Sequence, residues 1–147
     1  MSELLARLKG DMAAARKAQD KPRTLLLSTI ISDVQNRRIE LRRDPEDEEV
    51  IEVLRRGIRK RREAAEAYAS ARREDLSAKE RQEAELLEGY LPAQVADDEL
   101  RAAVSEAIAA GAGNIGAVMG RVMPRFKGRA DGSRINAIAR EELARGA

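Results

Sequence analysis

The 147-residue sequence contains neither cysteine nor histidine. Without cysteine the chain has no disulfide bond, no thiolate metal site and no cysteine nucleophile. Without histidine it has no imidazole metal ligand, and it lacks the side chain that most often serves as a general base near neutral pH. Carboxylates, lysines and hydroxyl groups could still catalyse a reaction. The two absences nevertheless favour a binding protein over an enzyme, and we expect neither a metal nor another cofactor.

Aromatic residues are scarce as well, with one phenylalanine, two tyrosines and no tryptophan. Charged residues make up 37% of the chain, and aliphatic residues with alanine supply most of the apolar content. This composition favours helices packed on helices. Base-specific RNA recognition usually requires aromatic faces on which bases stack. If the chain binds nucleic acid, we therefore expect it to contact phosphates and to recognise shape.

Long apolar runs are also missing, and the opening Met1-Ser2-Glu3 does not resemble a signal peptide. We therefore expect a soluble, cytoplasmic protein without a membrane partner. The formal net charge of +2 is small. Any preference for a charged partner must therefore depend on where the charges lie along the chain.

Apolar residues recur at helical spacing and predict an N-terminal four-helix domain over residues 1–93. The first helix covers residues 3–20, and Pro22 should interrupt it. The second runs from Arg23 to about Arg43. We expect these two helices to form a hairpin.

The third helix of this domain should be long and should brace the others. Asp44 is its predicted N-cap, Pro45 its first residue, and about Arg73 its end. A capping box at residues 77–80 opens the fourth helix, which ends at Pro92.

The remaining residues, 94–147, predict a small C-terminal domain of three helices, so the whole chain should be all-α. Asp97, Asn114 and Asp131 are the predicted N-caps of its helices, and Gly111 should end the first one. Carboxylates near residue 97 suit the positive end of a helix dipole better than a metal site.

A run of cations at residues 55–62 is typical of a nucleic-acid-binding patch when it is taken alone. Acids lie four residues away from several of these cations, which favours a solvated helix face with internal ion pairs. The expected pairs are Glu52 with Arg56, Arg59 with Glu63, and Arg62 with Glu66. Whether the run binds a partner is left open by the sequence.

A second group of cations surrounds the glycine-flanked segment 127–132, just before the last predicted helix. Helix N-termini present backbone N–H groups and positive dipole to anions, so this turn suits a phosphate. No Gly-Lys-Ser/Thr ending follows, so it is not a Walker loop. The candidate nucleic-acid-binding residues are Arg121, Arg125, Lys127, Arg129 and Arg134.

Acids of the C-terminal half gather at residues 97–106, apart from these cations in the sequence. Such separation predicts a positive face that attracts anions. The alternative is a turn whose glycines adopt positive φ and whose arginines are merely solvated. Composition alone does not choose between the two.

Six segments, in their order and spacing, resemble the GatB/YqeY family, and specifically its stand-alone YqeY-like members. These segments are Asp11-Met12, Lys17–Lys21, Arg73–Leu76, Glu88–Gln94, Met119–Met123 and Lys127–Gly132. The resemblance implies an all-helical protein with a smaller C-terminal domain. That domain is similar to the tail of the B subunit of tRNA-dependent amidotransferase. There the tail contacts tRNA, while the chemistry belongs to a separate catalytic body. Similar units are appended to some glutaminyl-tRNA synthetases.

Two positions depart from the family pattern. Asn114 stands where a serine often opens a helix, which should keep the cap, and Val118 stands where an acid often precedes Met-Gly. Loss of that acid should make the face more positive.

The function implied by the resemblance is that of a tRNA-binding accessory module in translation, without independent catalysis. One alternative is an amidotransferase-associated component, that is, a carbon–nitrogen ligase with glutamine as amido donor. The other is a protein-binding helical adaptor that docks through its long third helix. Besides tRNA, possible partners are an aminoacyl-tRNA synthetase or an amidotransferase.

Overall fold

The computed structural model describes residues 2–93 and 95–146, which form seven α-helices and one 3₁₀ turn without a strand. The all-α prediction is confirmed. The chain divides into two compact units, residues 1–91 and 92–147. The first unit holds four helices: α1 (Glu3–Lys17), α2 (Lys21–Leu41), α3 (Asp47–Ser70) and α4 (Glu74–Glu88). The second unit holds α5 (Asp97–Ala109), α6 (Ile115–Val122), the 3₁₀ turn (Met123–Phe126) and α7 (Gly132–Arg145). Within the described ranges, no helix combines the length and apolar character needed to cross a bilayer.

Helices α1 and α2 pack against each other as the predicted hairpin. The Asp20 side chain caps α2 by accepting a hydrogen bond from the Arg23 N–H at 3.2 Å. Pro22 lies in the first turn of α2, where a missing N–H costs nothing. The proline therefore begins the second helix and does not break the first.

The predicted start of α3 is wrong by two residues. The helix begins at Asp47 with Glu46 as its N-cap, and the Glu49 carboxylate accepts a hydrogen bond from the Glu46 N–H at 3.0 Å. Asp44 instead pairs with Arg38 of α2 at 2.8 Å. Because Asp44 is held by α2, it cannot cap α3. The pKa of Glu49 is lowered, first by the hydrogen bond from Arg43 and then by the one from the Glu46 N–H, although burial acts in the opposite direction.

The predicted capping box at residues 77–80 is also wrong. Helix α4 already begins at Glu74, and Ser77 lies buried inside its first turns. The Ser77 hydroxyl donates a hydrogen bond to the Ala65 carbonyl of α3 at 2.8 Å. The tertiary contact uses the hydroxyl that would otherwise cap a helix.

Part of the cationic run 55–62 braces α3 against α4. Arg61 Nε lies 3.1 Å from Glu83 Oε2, and Arg62 pairs with Glu88. Arg62 thus takes its partner from α4 in place of the expected Glu66. Similarly, Glu52 lies 3.8 Å from Arg37 of α2.

Gly57 marks the place where α3 approaches its neighbours most closely. A Cβ atom here would lie 2.9 Å from Ile30 Cδ1 of α2 and 3.7 Å from Leu87 Cδ1 of α4. All three residues are buried, and they belong to the core of the first unit. The largest fully buried side chains of this core include Leu8, Leu27, Ile30, Val34, Val50, Leu54 and Leu87.

Tyr90, just beyond α4, ties that end of the unit to α1. Its hydroxyl donates a 2.6 Å hydrogen bond to Asp11 Oδ2, and the Arg7 guanidinium lies 4.7 Å from the ring centroid. The ring is only 5% exposed. Burial, and then the bond to Asp11, raise the pKa of Tyr90. Asp11 and Tyr90 both belong to the segments that carry the family resemblance.

We predict that Gly57→Leu lowers the free energy of unfolding by about 1–3 kcal/mol, because the new side chain overpacks the contact with Ile30. Gly10→Leu is the matched control, since a Cβ at this helical glycine meets nothing within 4 Å. The control should be neutral or stabilising because leucine has the better helix propensity. Urea unfolding of both variants measures the difference, and equal effects would contradict the close approach.

We predict that Tyr90→Phe lowers the free energy of unfolding by about 1.5–3 kcal/mol, because it leaves the Asp11 carboxylate without its donor. Tyr68→Phe is the control: Tyr68 is half-buried on α3, and its hydroxyl makes no hydrogen bond with the described residues. A Tyr90→Phe variant as stable as the Tyr68→Phe variant would show that the bond to Asp11 contributes nothing.

Candidate nucleic-acid interface

The turn between the 3₁₀ helix and α7 folds around the carbonyl of Phe126. That carbonyl accepts hydrogen bonds from the Arg129 N–H at 2.8 Å and the Ala130 N–H at 3.1 Å. Gly128 has a φ of 76°, as the solvated-turn alternative expects of these glycines, whereas Gly132 does not have a positive φ. Ala130 is buried, whereas Lys127 and Arg129 are exposed.

Two of the three predicted N-caps in this unit are confirmed. Asn114 Oδ1 accepts from the Ala117 N–H at 2.8 Å, and Asp131 Oδ1 accepts from the Ser133 N–H at 3.1 Å. Asp97 is not an N-cap, because α5 begins with it and Ala96 precedes the helix. Its carboxylate instead accepts a 2.7 Å hydrogen bond from Arg134 Nε.

Each of the four predicted arginines has its own partner, either on α5 or directly after its last residue. Arg121 donates to the Ala110 carbonyl at 3.1 Å, just beyond the C-terminal end of this helix. Arg125 lies 3.0 Å from Glu106, and Arg129 lies 3.9 Å from Glu99. Arg134 pairs with Asp97.

The expected separation of charge is therefore wrong. Helix α5 packs against α6 and α7, which brings acids from residues 97–106 beside cations from residues 125–134. Distance along the sequence does not keep these charges apart once the helices pack. Val118 corrects a second expectation: it is fully buried in the core, so its replacement of an acid does not make the surface more positive.

These ion pairs are exposed and exchangeable. The side chains of Arg125 and Arg129 are each 54% exposed, and those of Glu106 and Glu99 are 72% and 56% exposed. Exposed ion pairs contribute about 0–1 kcal/mol, because water screens them and two long side chains lose freedom. A stronger anion could replace these carboxylates at little cost.

Four arginines follow the length of α5, and we call Arg121, Arg125, Arg129 and Arg134 the α5 row. Their contacts run from Asp97 to Ala110, a distance of about 20 Å at 1.5 Å per residue. Glu99 and Glu106, seven residues apart, lie on one side of the helix. Asp97, two residues before Glu99, lies on the opposite side, so Arg134 meets α5 there and the four arginines do not form one compact cradle.

Phe126 has a role that sequence reasoning missed. It is buried, and its ring centroid lies 5.8 Å from the Arg125 guanidinium carbon and 5.9 Å from that of Arg129. Both distances are within the roughly 6 Å range of a cation–π contact. The only sequence signal is the placement of an arginine one residue before and three residues after the phenylalanine.

Metal binding has no support at this surface. The described residues include no group of three acids that could hold an ion. The carboxylates of Asp97, Asp98 and Glu99 occupy the first turn of α5, where the helix dipole favours them.

Comparison with known proteins places these features in a family. A family model described as Yqey-like protein matches residues 5–143. A curated relative is the Altered inheritance of mitochondria protein 41, mitochondrial, of Pyrenophora tritici-repentis. It is 30% identical over 132 residues, which cover 86% of this chain and 73% of the relative. The location in that name belongs to the relative, and a cytoplasmic location stays a prediction for this chain. Both matches confirm the resemblance seen in the sequence, and the chain belongs to the YqeY-like family.

Proposed function

We propose that this chain is a tRNA-binding accessory module that binds backbone phosphates with its second unit. The observation that carries the proposal is the α5 row, together with Lys127 on the turn. The row presents guanidinium groups along about 20 Å of α5, and the carboxylate partners of Arg125 and Arg129 are exposed and weakly held. The resemblance to the amidotransferase tail supplies tRNA as the partner, and the proposal assigns no catalytic step to the chain.

Binding would proceed by exchange of partners. A phosphate offers oxygens that accept two parallel N–H bonds from one guanidinium, as a carboxylate does. RNA would therefore displace Glu99 and Glu106 from Arg129 and Arg125, while Phe126 keeps both arginines in place. Counterions released from the RNA supply much of the driving force.

The linear arrangement favours a backbone over a single phosphate. Successive phosphates of one strand could meet Arg129, Arg125 and Arg121, whose contacts with Glu99, Glu106 and Ala110 lie on one side of α5. The second unit offers one aromatic ring, Phe126, and it is buried, so stacking with bases is not part of this mode. Recognition would depend on shape and charge.

We predict that Lys127→Ala combined with Arg129→Ala weakens tRNA binding roughly tenfold at low salt. The slope of log K against log salt should fall by about 1.5, since two phosphate contacts are lost. Lys79→Ala with Arg81→Ala is the control, because both cations are exposed on α4 of the first unit. Fluorescence anisotropy with labelled tRNA over a salt series gives both quantities.

Two results would count against this proposal in different ways. Equal binding by the double variant and the wild type would remove Lys127 and Arg129 from the interface. No binding of tRNA by the wild type at low salt would remove the function itself. Circular dichroism of each variant checks that the helices are intact.

We predict that Glu106→Gln strengthens tRNA binding several-fold, because the carboxylate no longer competes for Arg125. Glu141→Gln is the matched control: it removes the same charge from the same unit, but Glu141 pairs with Arg101 at 3.3 Å and with none of the four arginines of the α5 row. The same anisotropy assay compares the two. Equal gains would reflect net charge alone and would contradict the partner exchange.

A further inference from the structure

A second cationic surface lies in the first unit, at the C-terminal end of α2, and the proposed function does not use it. Two neighbouring hollows of about 350 and 290 Å³ open there, and Gln35 and Arg38 line both. We call this region the α2-end surface, defined by Lys9, Gln35, Arg38, Ile39, Arg42 and Arg43.

The centre of the α2-end surface is apolar. Ile39 is 74% exposed, the highest value among the large apolar side chains of the described residues. Leu5, Ala6 and Pro45 line the second hollow. The methylene stems of the surrounding arginines add further apolar area. The exposed isoleucine lines the first hollow and gives an aliphatic side chain of a partner a surface to pack against.

Positive charge surrounds this apolar centre. Lys9, Arg38, Arg42 and Arg43 line the hollows, and Asp44 is the one carboxylate among their lining residues. Arg38 is paired with Asp44 at 2.8 Å and Arg43 with Glu49 at 2.7 Å. Arg42 is exposed and makes no ion pair with the described residues. The rim therefore carries unbalanced positive charge.

We infer that the α2-end surface binds an acidic amphipathic helix of a partner protein. Aliphatic side chains on one face of that helix pack on Ile39 and into the hollows, and its carboxylates pair with Arg42 and its neighbours. Protein interfaces combine an apolar centre with arginine in this way, and helix-in-groove binding uses aliphatic anchors at helical spacing.

The chemistry favours this occupant over nucleic acid and over a second copy of the chain. A phosphate backbone offers no aliphatic side chain to pack on Ile39 or on the apolar residues of the second hollow, and no aromatic ring that could stack an unpaired base lines either hollow. Two copies of a cationic surface would repel one another. The inference is independent of the proposed function, because it concerns the other compact unit.

The backbone at Arg42 provides a clean test variant. Its φ is 58°, in the left-handed region that glycine adopts without strain. Arg42→Gly therefore removes the guanidinium without straining the fold. Arg72, at the end of α3, has a φ of 59° and is equally exposed, so Arg72→Gly is the matched control.

The test is an NMR titration of the full chain with a synthetic peptide of about 18 residues, with leucine at i, i+3 and i+4 spacing and glutamate elsewhere. We expect shifts centred on Gln35, Ile39 and Arg42. Arg42→Gly and Ile39→Ser should each weaken binding at least about fivefold. Arg72→Gly and Leu25→Ser should not, although Leu25 is a 68% exposed aliphatic residue on the same helix.

Three outcomes would overturn the inference. The first is no shift at millimolar peptide. The second is equal weakening by the Arg42→Gly and Arg72→Gly variants, which would indicate diffuse charge attraction. The third is that tRNA, and not the peptide, shifts Ile39 and Arg42, which would make the surface a nucleic-acid site.

Discussion

The packing of α5 against α6 and α7 is the constraint on which the surface of the second unit depends. Leu100, Val104 and Ala107 bury the inner side of α5. The rotation of α5 is then fixed, and Glu99 and Glu106 must face the arginines that flank Phe126. A hydrophobic interaction thus determines an electrostatic pattern: a row of cations that is neutralised loosely by carboxylates from one helix.

The helix class, the N-terminal hairpin and several caps could be predicted from the sequence, and the failures share one cause. Asn114 and Asp131 cap as expected because each side chain bonds to a backbone N–H three or two residues further on. Ser77, Asp44 and Asp97 do not cap, because Ala65, Arg38 and Arg134 engage their oxygen atoms. The sequence pattern of an N-cap is local, and the side chain does not cap the helix when a residue of another element takes its oxygen atoms.

The residues of the candidate site were proposed from the sequence, but their partners and arrangement were not predicted from it. Cations that follow one another in the sequence are spread along a helix that lies earlier in the chain. Acids from residues 97–106, which were expected to lie apart from these cations, form ion pairs with them. At the α2-end surface, Ile39 lies off the buried stripe of Leu27, Ile30 and Val34, but only the packed hairpin shows the hollows beside it. Which residues of different helices lie side by side can be read only from the tertiary structure.

The hydrogen bond from Tyr90 to Asp11 joins residues that are 79 positions apart. Helix α1 is synthesised before the other helices of this unit, yet it is anchored by the last residue but one of the unit. Contacts so distant along the chain slow folding, because a large loop must close before they form. During synthesis at about 5–20 residues per second, this hydrogen bond can form only several seconds after Asp11 has been made. The hairpin of α1 with α2 can form earlier, so the bond from Tyr90 completes the fixing of α1 only when the end of the unit has emerged.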